Sequence, residues 1–221
     1  MCYTEKEVIE MRDMPFFTTL SGVASLTLSQ IPYTGKAYIR IQDSTEPEQF
    51  LRECVSFCKA AGAQKIYATG NVVCEGFPEY TKLLHMKAEK STIGETDAAL
   101  FPVTEATLAL WTDIYNQKIS NVPNGAWMTN RDAQQMLRDG DGYLIHKDKT
   151  LLGIGKASGS EIFWVASVVP GAGRDVVRAL CHALSDETVS LVVASENRKA
   201  MQLYKCLGFV CTGVISTWFV V

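Results

Sequence analysis

The stretch from Glu161 to Phe209, EIFWVASVVPGAGRDVVRALCHALSDETVSLVVASENRKAMQLYKCLGF, decides the fold of this chain. Its first apolar run, Ile162–Val169, is rich in β-formers and too short to span a membrane, so it predicts a buried strand. Proline and glycine break the run at Pro170–Arg174. Apolar residues then recur at helical spacing over 176–184, and a second apolar run covers 189–194. The predicted order is therefore strand, turn, helix, strand.

A second helix follows, and the turn before the first helix suits an anion. Asn197 begins the second helix, whose apolar side includes Leu203 and Leu207 and which Gly208 ends. Helix starts leave backbone N–H groups without partners at a partly positive end. Glycines let a diphosphate approach such groups closely, and Arg174 adds a cation. The turn is therefore a candidate anion site placed directly after a strand.

Two motifs in this stretch resemble those of the Gcn5-related N-acetyltransferases (GNAT). Residues 168–174 resemble the acyl-CoA pyrophosphate loop of that family, although the loop is one residue short and Asp175 and Val177 stand where glycine or alanine is usual. Asn197–Phe209 resembles the second motif, N-x-x-A-x-x-x-Y-x-x-x-G-F. The resemblance implies an α/β fold with a mixed central sheet flanked by helices.

The same resemblance implies a role for individual residues in binding acetyl-CoA as cosubstrate. The strand end would pair through its backbone with the pantetheine amides, the glycine turn would face the diphosphate, and the second helix would contribute an asparagine and a tyrosine. The cofactor-binding residues implied are Val168, Val169, Gly171, Ala172, Gly173, Arg174, Asn197 and Tyr204. Asn197 is equally suited to capping its own helix.

Acyl transfer to an amine needs an acid and a base. An amine with a pKa near 10.4 is mostly protonated at neutral pH, and a departing thiolate benefits from a proton donor. The resemblance makes Tyr204 the candidate acid, with a core tyrosine as the alternative. Glu161 is the candidate base, but its spacing to Pro170 turns it to the other face of the strand unless a bulge intervenes. Glu196, Ser195 and water are the alternatives.

The chain divides into two predicted parts. Residues 96–221 predict the GNAT acetyltransferase domain, with a first strand at 100–103, a helix that carries Trp111 and Tyr115, a loop at 121–125 and, at the end, two strands about Gly213. Residues 1–95 predict an α/β unit, interpreted as a degenerate GNAT half without a cofactor loop. Its predicted elements are strands at 18–29, 37–42 and 65–69, a turn at 32–35, and helices starting at Glu46 and covering 78–87. The polar stretch 89–97 is interpreted as the junction.

Composition excludes several classes of protein. The net charge of −3 gives no electrostatic case for nucleic acid or an anionic membrane as partner. The start, Met1–Glu7, lacks a signal-peptide core, and the seven cysteines are irregularly spaced, so reduced thiols in the cytoplasm are expected. Cys54 and Cys58 share a helix face, but no matching ligands accompany them, so no metal is expected.

The sequence therefore predicts an acetyl-CoA-dependent N-acyltransferase in which the amine attacks the thioester directly, in a gap between the Glu161 and Val189 strands. The acceptor is a small-molecule or peptide amine, and Trp127, with Tyr115 second, is expected to line its pocket. A homodimer is left open. Two alternatives remain: a catalytically inactive CoA-binding regulatory module, and an interaction protein with an inert scaffold.

Overall fold

A computed structural model of the chain describes residues 13–70, 76–120 and 122–221. These residues form two compact units. The first consists of the chain up to Lys82 together with Ser216–Val221, and the second consists of Leu83–Ile215. Residues 1–7, which lack the apolar core of a signal peptide, lie outside the described residues.

The first unit is a small sheet with one helix on a face. In chain order it contains β1 (Met14–Thr19), β2 (Gly22–Thr27), α1 (Ile31–Thr34), β3 (Lys36–Ser44), α2 (Pro47–Ala60), β4 (Lys65–Gly70) and the last residues of β11 (Val210–Val220). The strand order is β1-β2-β3-β4-β11. Only β3 and β4 are parallel to each other. The core lies between the sheet and the buried side of α2, which presents Phe50, Leu51, Cys54 and Cys58.

Two local predictions for the first unit were wrong. The apolar segment 18–29 forms a hairpin rather than one strand, because the chain reverses at Leu20 and Ser21 and β2 pairs back on β1. The segment expected to be a simple turn forms the helical turn α1, which ends at Gly35 in a left-handed conformation with φ of 66°. Glycine reaches that conformation without steric cost.

The second unit is a mixed sheet covered by helices on both faces. Its strand order is β11-β5-β10-β9-β8-β7-β6, and β9 and β10 are the parallel pair. Its elements are β5 (Glu79–Glu89, from Leu83 onward), α3 (Lys90–Ile93), β6 (Ala99–Pro102), α4 (Glu105–Ile119), α5 (Asn130–Asp139), β7 (Gly142–Lys147), β8 (Thr150–Ser158), β9 (Glu161–Ser167), α6 (Gly173–Ala183), β10 (Thr188–Ala194), α7 (Arg198–Cys206) and the first residues of β11.

Each face of this sheet has its own core. The α6 and α7 side buries the apolar faces of both helices against β5, β8, β9 and β10. The α4 and α5 side packs Trp111, Tyr115 and Met136 against Ile154 and Trp164. The motif helices therefore lie on one face, and the two helices expected to shape an acceptor pocket lie on the other.

Gly153 in β8 allows α6 to pack close to the sheet. A Cβ atom at this position would lie 2.5 Å from the carbonyl oxygen of Ala166 and 2.8 Å from a methyl group of Val176. We expect Gly153→Ala to lower the free energy of unfolding by about 2 kcal/mol, since overpacking of a core typically costs 1–3 kcal/mol. Gly213→Ala is the matched control because no atom lies within 4 Å of its added Cβ. Urea titration of both variants checks this, and equal stabilities would contradict the packing described.

Three predictions for the second unit need correction. Residues 78–87 were expected to be a helix, but they lie in β5, which pairs antiparallel with β10 from Leu83 to Glu89. This pairing also makes 89–97 part of the second unit, so the units divide after Lys82 and not near residue 95. The C-terminal segment is one strand and is not broken at Gly213.

Candidate functional site

The parallel strands β9 and β10 separate along their length. They pair at only two positions, Ser190 with Glu161 and Leu191 with Ile162. Beyond these pairs a cavity of about 290 Å³ opens between the strands, and we call it the interstrand cavity. Its walls on the strands are residues 162–166 of β9 and 191–194 of β10. The gap predicted between these two strands is therefore present.

The cavity is mostly apolar, with a few polar groups. The α4 side contributes an aromatic wall of Trp111, Tyr115 and Trp164, in which the rings of Tyr115 and Trp164 lie 4.8 Å apart. No aspartate or glutamate is among the described lining residues. The polar side chains that line it are Lys118, Asn124, Asn197 and Tyr204.

The glycine turn lies between the end of β9 and α6. Gly171 has φ of 84°, and the space around its Cβ position is open. No side chain in the described part of the chain caps the N-terminus of α6, and Arg174 beside it is exposed. Asp175 accepts a hydrogen bond from Thr96 at 3.1 Å, so its carboxylate has a partner away from the turn. The N-terminus of α6 therefore keeps backbone N–H groups for an anion.

The backbone N–H groups of Val168 and Val169 are bonded within the protein. The N–H of Val168 donates to the carbonyl of Leu152 at 2.8 Å, and that of Val169 approaches the same oxygen at 3.4 Å. The carbonyl of Val169 accepts from the N–H of Ala172. Both N–H groups therefore donate to β8, and the carbonyl of Val169 accepts within the turn. Of the four backbone groups of these two residues, the carbonyl of Val168 is the one that could still pair with pantetheine.

Tyr204 and Asn197 both reach the cavity from α7. Tyr204 is only 7% exposed, and its ring lies 5.8 Å from that of Phe209. Burial, and next the neighbouring Cys181 thiol, raise the pKa of the Tyr204 phenol above its usual value. Asn197 accepts a hydrogen bond from the N–H of Ala200 at 3.4 Å, so it caps the helix and lines the cavity at once. Capping is therefore observed for Asn197, and the predicted contact with pantetheine stays a prediction.

A bulge in β9 decides where Glu161 lies. Trp164 pairs with Lys156 and Ile162 pairs with Ala157, so β9 has one extra residue at Phe163. Ile162 faces the α6 side and Trp164 faces the α4 side, which places Glu161 on the α4 side by strand alternation. Glu161 is outside the cavity lining, at the end where the strands are paired.

Of the two aromatic residues expected to line an acceptor pocket, Tyr115 is a described lining residue of the cavity and Trp127 is not. The hydroxyl of Tyr115 donates to the carbonyl of Ala126 at 2.9 Å. Trp164 and Asn124 line the cavity on this side. Residue 121, at the start of the predicted loop, lies outside the described residues.

The first unit repeats the topology of this site without its opening. Its β2-β3-α2-β4 order matches β8-β9-α6-β10, with an antiparallel pair followed by a parallel one. However, β3 and β4 pair at six consecutive positions, from Lys36–Lys65 to Ile41–Gly70. These features do not contradict the interpretation of the first unit as a degenerate half.

Other kinds of site find no support in the described part of the chain. No group of three or more potential metal-ligating side chains occurs there. The five cysteines described, Cys54, Cys58, Cys181, Cys206 and Cys211, are unpaired thiols. None of the helices described is long and apolar enough to cross a bilayer.

Comparison with known proteins supports the architecture. No protein-family model and no curated protein matches the chain. A conserved protein of unknown function from Staphylococcus epidermidis has a TM-score of 0.61 at 14% identity, covering 99% of this chain and 96% of its own. A GCN5-related N-acetyltransferase-like protein from Streptococcus suis has a TM-score of 0.53 at 12% identity, covering 98% and 94%.

A GCN5-related N-acetyltransferase from Anabaena variabilis has a TM-score of 0.57 at 11% identity, covering 90% of this chain and 59% of its own. Identities this low establish the fold and leave the activity open. The likeness to the staphylococcal and streptococcal proteins spans both units, so it includes the N-terminal one. With its separated parallel strands and uncapped helix turn, the chain has the fold of the Gcn5-related N-acetyltransferases.

Proposed function

We propose that this protein is an N-acyltransferase that transfers an acetyl group from acetyl-CoA to a primary amine by direct attack. The observation that carries the proposal is the separation of β9 and β10 after Ile162 and Leu191, which opens a cavity between the strands, together with the uncapped N-terminus of α6 that follows β9 in the chain. A parallel pair that stayed closed, like β3 and β4, would leave no room for a thioester arm.

The site offers each part of acetyl-CoA a matching environment. The diphosphate would accept hydrogen bonds from backbone N–H groups at Gly173 and Arg174, near the positive end of the α6 dipole. The pantetheine amides would pair with the unpaired strand edges in the interstrand cavity, as an added strand does. Asn197 and Tyr204 would contact the arm where it ends. The free thiols described suit a reducing compartment such as the cytoplasm.

The chemistry follows from these positions. The amine nitrogen bonds to the thioester carbonyl carbon, the C–S bond breaks, and the nitrogen loses a proton. Because burial raises the pKa of Tyr204, its phenol stays protonated and donates a hydrogen bond to the departing sulfur. Glu161 lies on the acceptor face but outside the cavity lining, so it would receive the amine proton through water.

Release of free thiol from acetyl-CoA in the presence of an amine panel tests the proposal. We expect release that depends on the amine, with an N-acetyl product visible by mass spectrometry. Binding of acetyl-CoA in calorimetry without release across the panel would instead identify a CoA-binding module without turnover. No binding at all would identify an inert scaffold.

The pH profile gives a further prediction. A general acid acts while protonated, and an ordinary phenol ionises near pH 10. Since burial raises the pKa of Tyr204, its proton is retained through that range. We expect kcat/KM to rise with pH as the amine loses its proton, and to show no fall up to about pH 10. A decrease in kcat/KM that begins below pH 9 and is absent in Tyr204→Phe would contradict the raised pKa of Tyr204.

A further inference from the structure

Asn124 is an unpaired polar side chain in the wall of the interstrand cavity. Both its Nδ2 and its Oδ1 atoms are buried, and neither has a hydrogen-bond partner among the residues that the structure describes. A buried amide left unpaired costs free energy of folding, so such groups are usually paired with protein, with ordered water or with a ligand. Asn124 therefore offers a bound molecule two groups whose hydrogen bonds the described protein atoms do not supply.

The loop holds this amide in place before any ligand arrives. The N–H of Gly125 donates to the carbonyl of Val122 at 2.9 Å, which closes a turn with Pro123 second and Asn124 third. Asn124 has φ of 57°, as the third position of a type II turn requires. Asn116 bonds both the N–H and the carbonyl of Met128 and so fixes the end of the loop.

Lys118 supplies the charge on the same wall. It is exposed, lies in the last turn of α4, and forms no ion pair within the part of the chain that the structure describes. Because no described carboxylate lines the cavity, the charge offered to an acceptor is positive. A polycationic amine would be repelled here, whereas a carboxylate would be attracted.

The remaining wall is apolar and the cavity is small. Trp111, Tyr115 and Trp164 form the aromatic side, and about 290 Å³ is at the lower end of ligand pockets. Building on the proposed transferase activity, we propose that the acceptor is a small apolar amine bearing a carboxylate, of which an aromatic amino acid is the simplest form. Lys118 attracts the carboxylate, and the Nδ2 of Asn124 donates a hydrogen bond to it.

Three amines that share one ring system test this assignment: phenylalanine, phenylalaninamide and phenethylamine. Only the first carries a carboxylate. We expect kcat/KM for acetyl transfer to be at least tenfold higher for phenylalanine than for the other two, as charged hydrogen bonds usually contribute. Calorimetry with N-acetylphenylalanine and N-acetylphenethylamine gives a readout independent of turnover, and the first should bind at least tenfold more tightly.

Variants at position 124 separate the amide from the turn. Asn124→Gly keeps a residue that adopts positive φ and removes the amide, so kcat/KM for phenylalanine should fall about tenfold. Asn124→Asp places a carboxylate beside the carboxylate of phenylalanine. Because the two repel each other, kcat/KM should become higher for phenethylamine than for phenylalanine. Lys118→Ala should lower kcat/KM for phenylalanine and leave that for phenylalaninamide unchanged. Lys59→Ala, an exposed lysine on α2, is the matched control.

The outcomes distinguish this inference from the proposed function. If the unmodified protein acetylates phenethylamine faster than phenylalanine, the proposed acceptor class is wrong but the transferase activity is not. The same holds if Asn124→Gly leaves kcat/KM for phenylalanine unchanged. A larger dissociation constant for acetyl-CoA in Asn124→Gly would show that the amide contacts the cofactor, and this would also contradict the proposed acceptor class. Binding of acetyl-CoA with no turnover of any amine overturns both. Melting temperatures equal to that of the parent exclude misfolding as the cause.

Discussion

Gly171→Asp is expected to weaken acetyl-CoA binding by about 100-fold while the protein stays folded. The Cβ position of Gly171 meets open space, so the side chain fits. Its carboxylate would stand beside the α6 N-terminus, where the diphosphate is proposed to bind. At an effective dielectric constant of about 20, like charges about 6 Å apart repel by about 3 kcal/mol, which is about 100-fold in affinity. Isothermal titration calorimetry with acetyl-CoA measures the change.

Gly171→Asn is the control for this variant. Asparagine and aspartate have the same shape, and both tolerate the positive φ of 84° at this position better than other residues. The two variants therefore share any backbone cost and differ only in charge. We expect Gly171→Asn to bind acetyl-CoA within about tenfold of the parent. Equal affinities for the two variants would show that no phosphate lies near this turn.

Tyr204→Phe is expected to lower kcat about 100-fold with little change in KM for acetyl-CoA, as the loss of a proton donor to a leaving group typically does. The ring is buried against Phe209 and is retained in the variant, so the packing should persist. Stopped assays of thiol release at saturating acetyl-CoA and amine measure the effect.

Tyr143→Phe is the matched control for Tyr204→Phe. Tyr143 packs against the same core and does not line the interstrand cavity. Its loss of a hydroxyl should leave kcat unchanged. If Tyr204→Phe also turned over at the parent rate with a verified acceptor, the phenol would have no part in sulfur departure and would be a core residue only.

The motif stretch could be predicted because its signals are local. A few neighbouring residues determine each of its features, namely the break after β9, the start of α6 and the cap at Asn197. The secondary structure of residues 79–89 does not depend on local sequence alone. Leucine, methionine, alanine and lysine there favour a helix, yet pairing with β10 makes the segment a strand. Only the partner strand decides, and it lies a hundred residues later in the chain.

The gap between β9 and β10 and the places of Asn197 and Tyr204 on it could be predicted from the motifs, whereas Trp164 and Asn124 in its wall were not singled out. The bulge at Phe163 depends on how β8 and β9 pair, so the face of Glu161 could be stated only conditionally. The Pro123-Asn124-Gly125 sequence does signal a turn with positive φ at the asparagine. That signal could have singled out Asn124 in place of Trp127. Which of them faces the cavity depends on the packing of α4, which no local pattern contains.

A crystal structure with CoA bound would test the central claim most directly. The account predicts pantetheine lying between β9 and β10 beyond Leu191, its diphosphate oxygens within hydrogen-bonding distance of the Gly173 and Arg174 amides, and its sulfur next to the Tyr204 hydroxyl. Electron density for the diphosphate anywhere other than the start of α6, or strands that remain empty at saturating CoA, would contradict it.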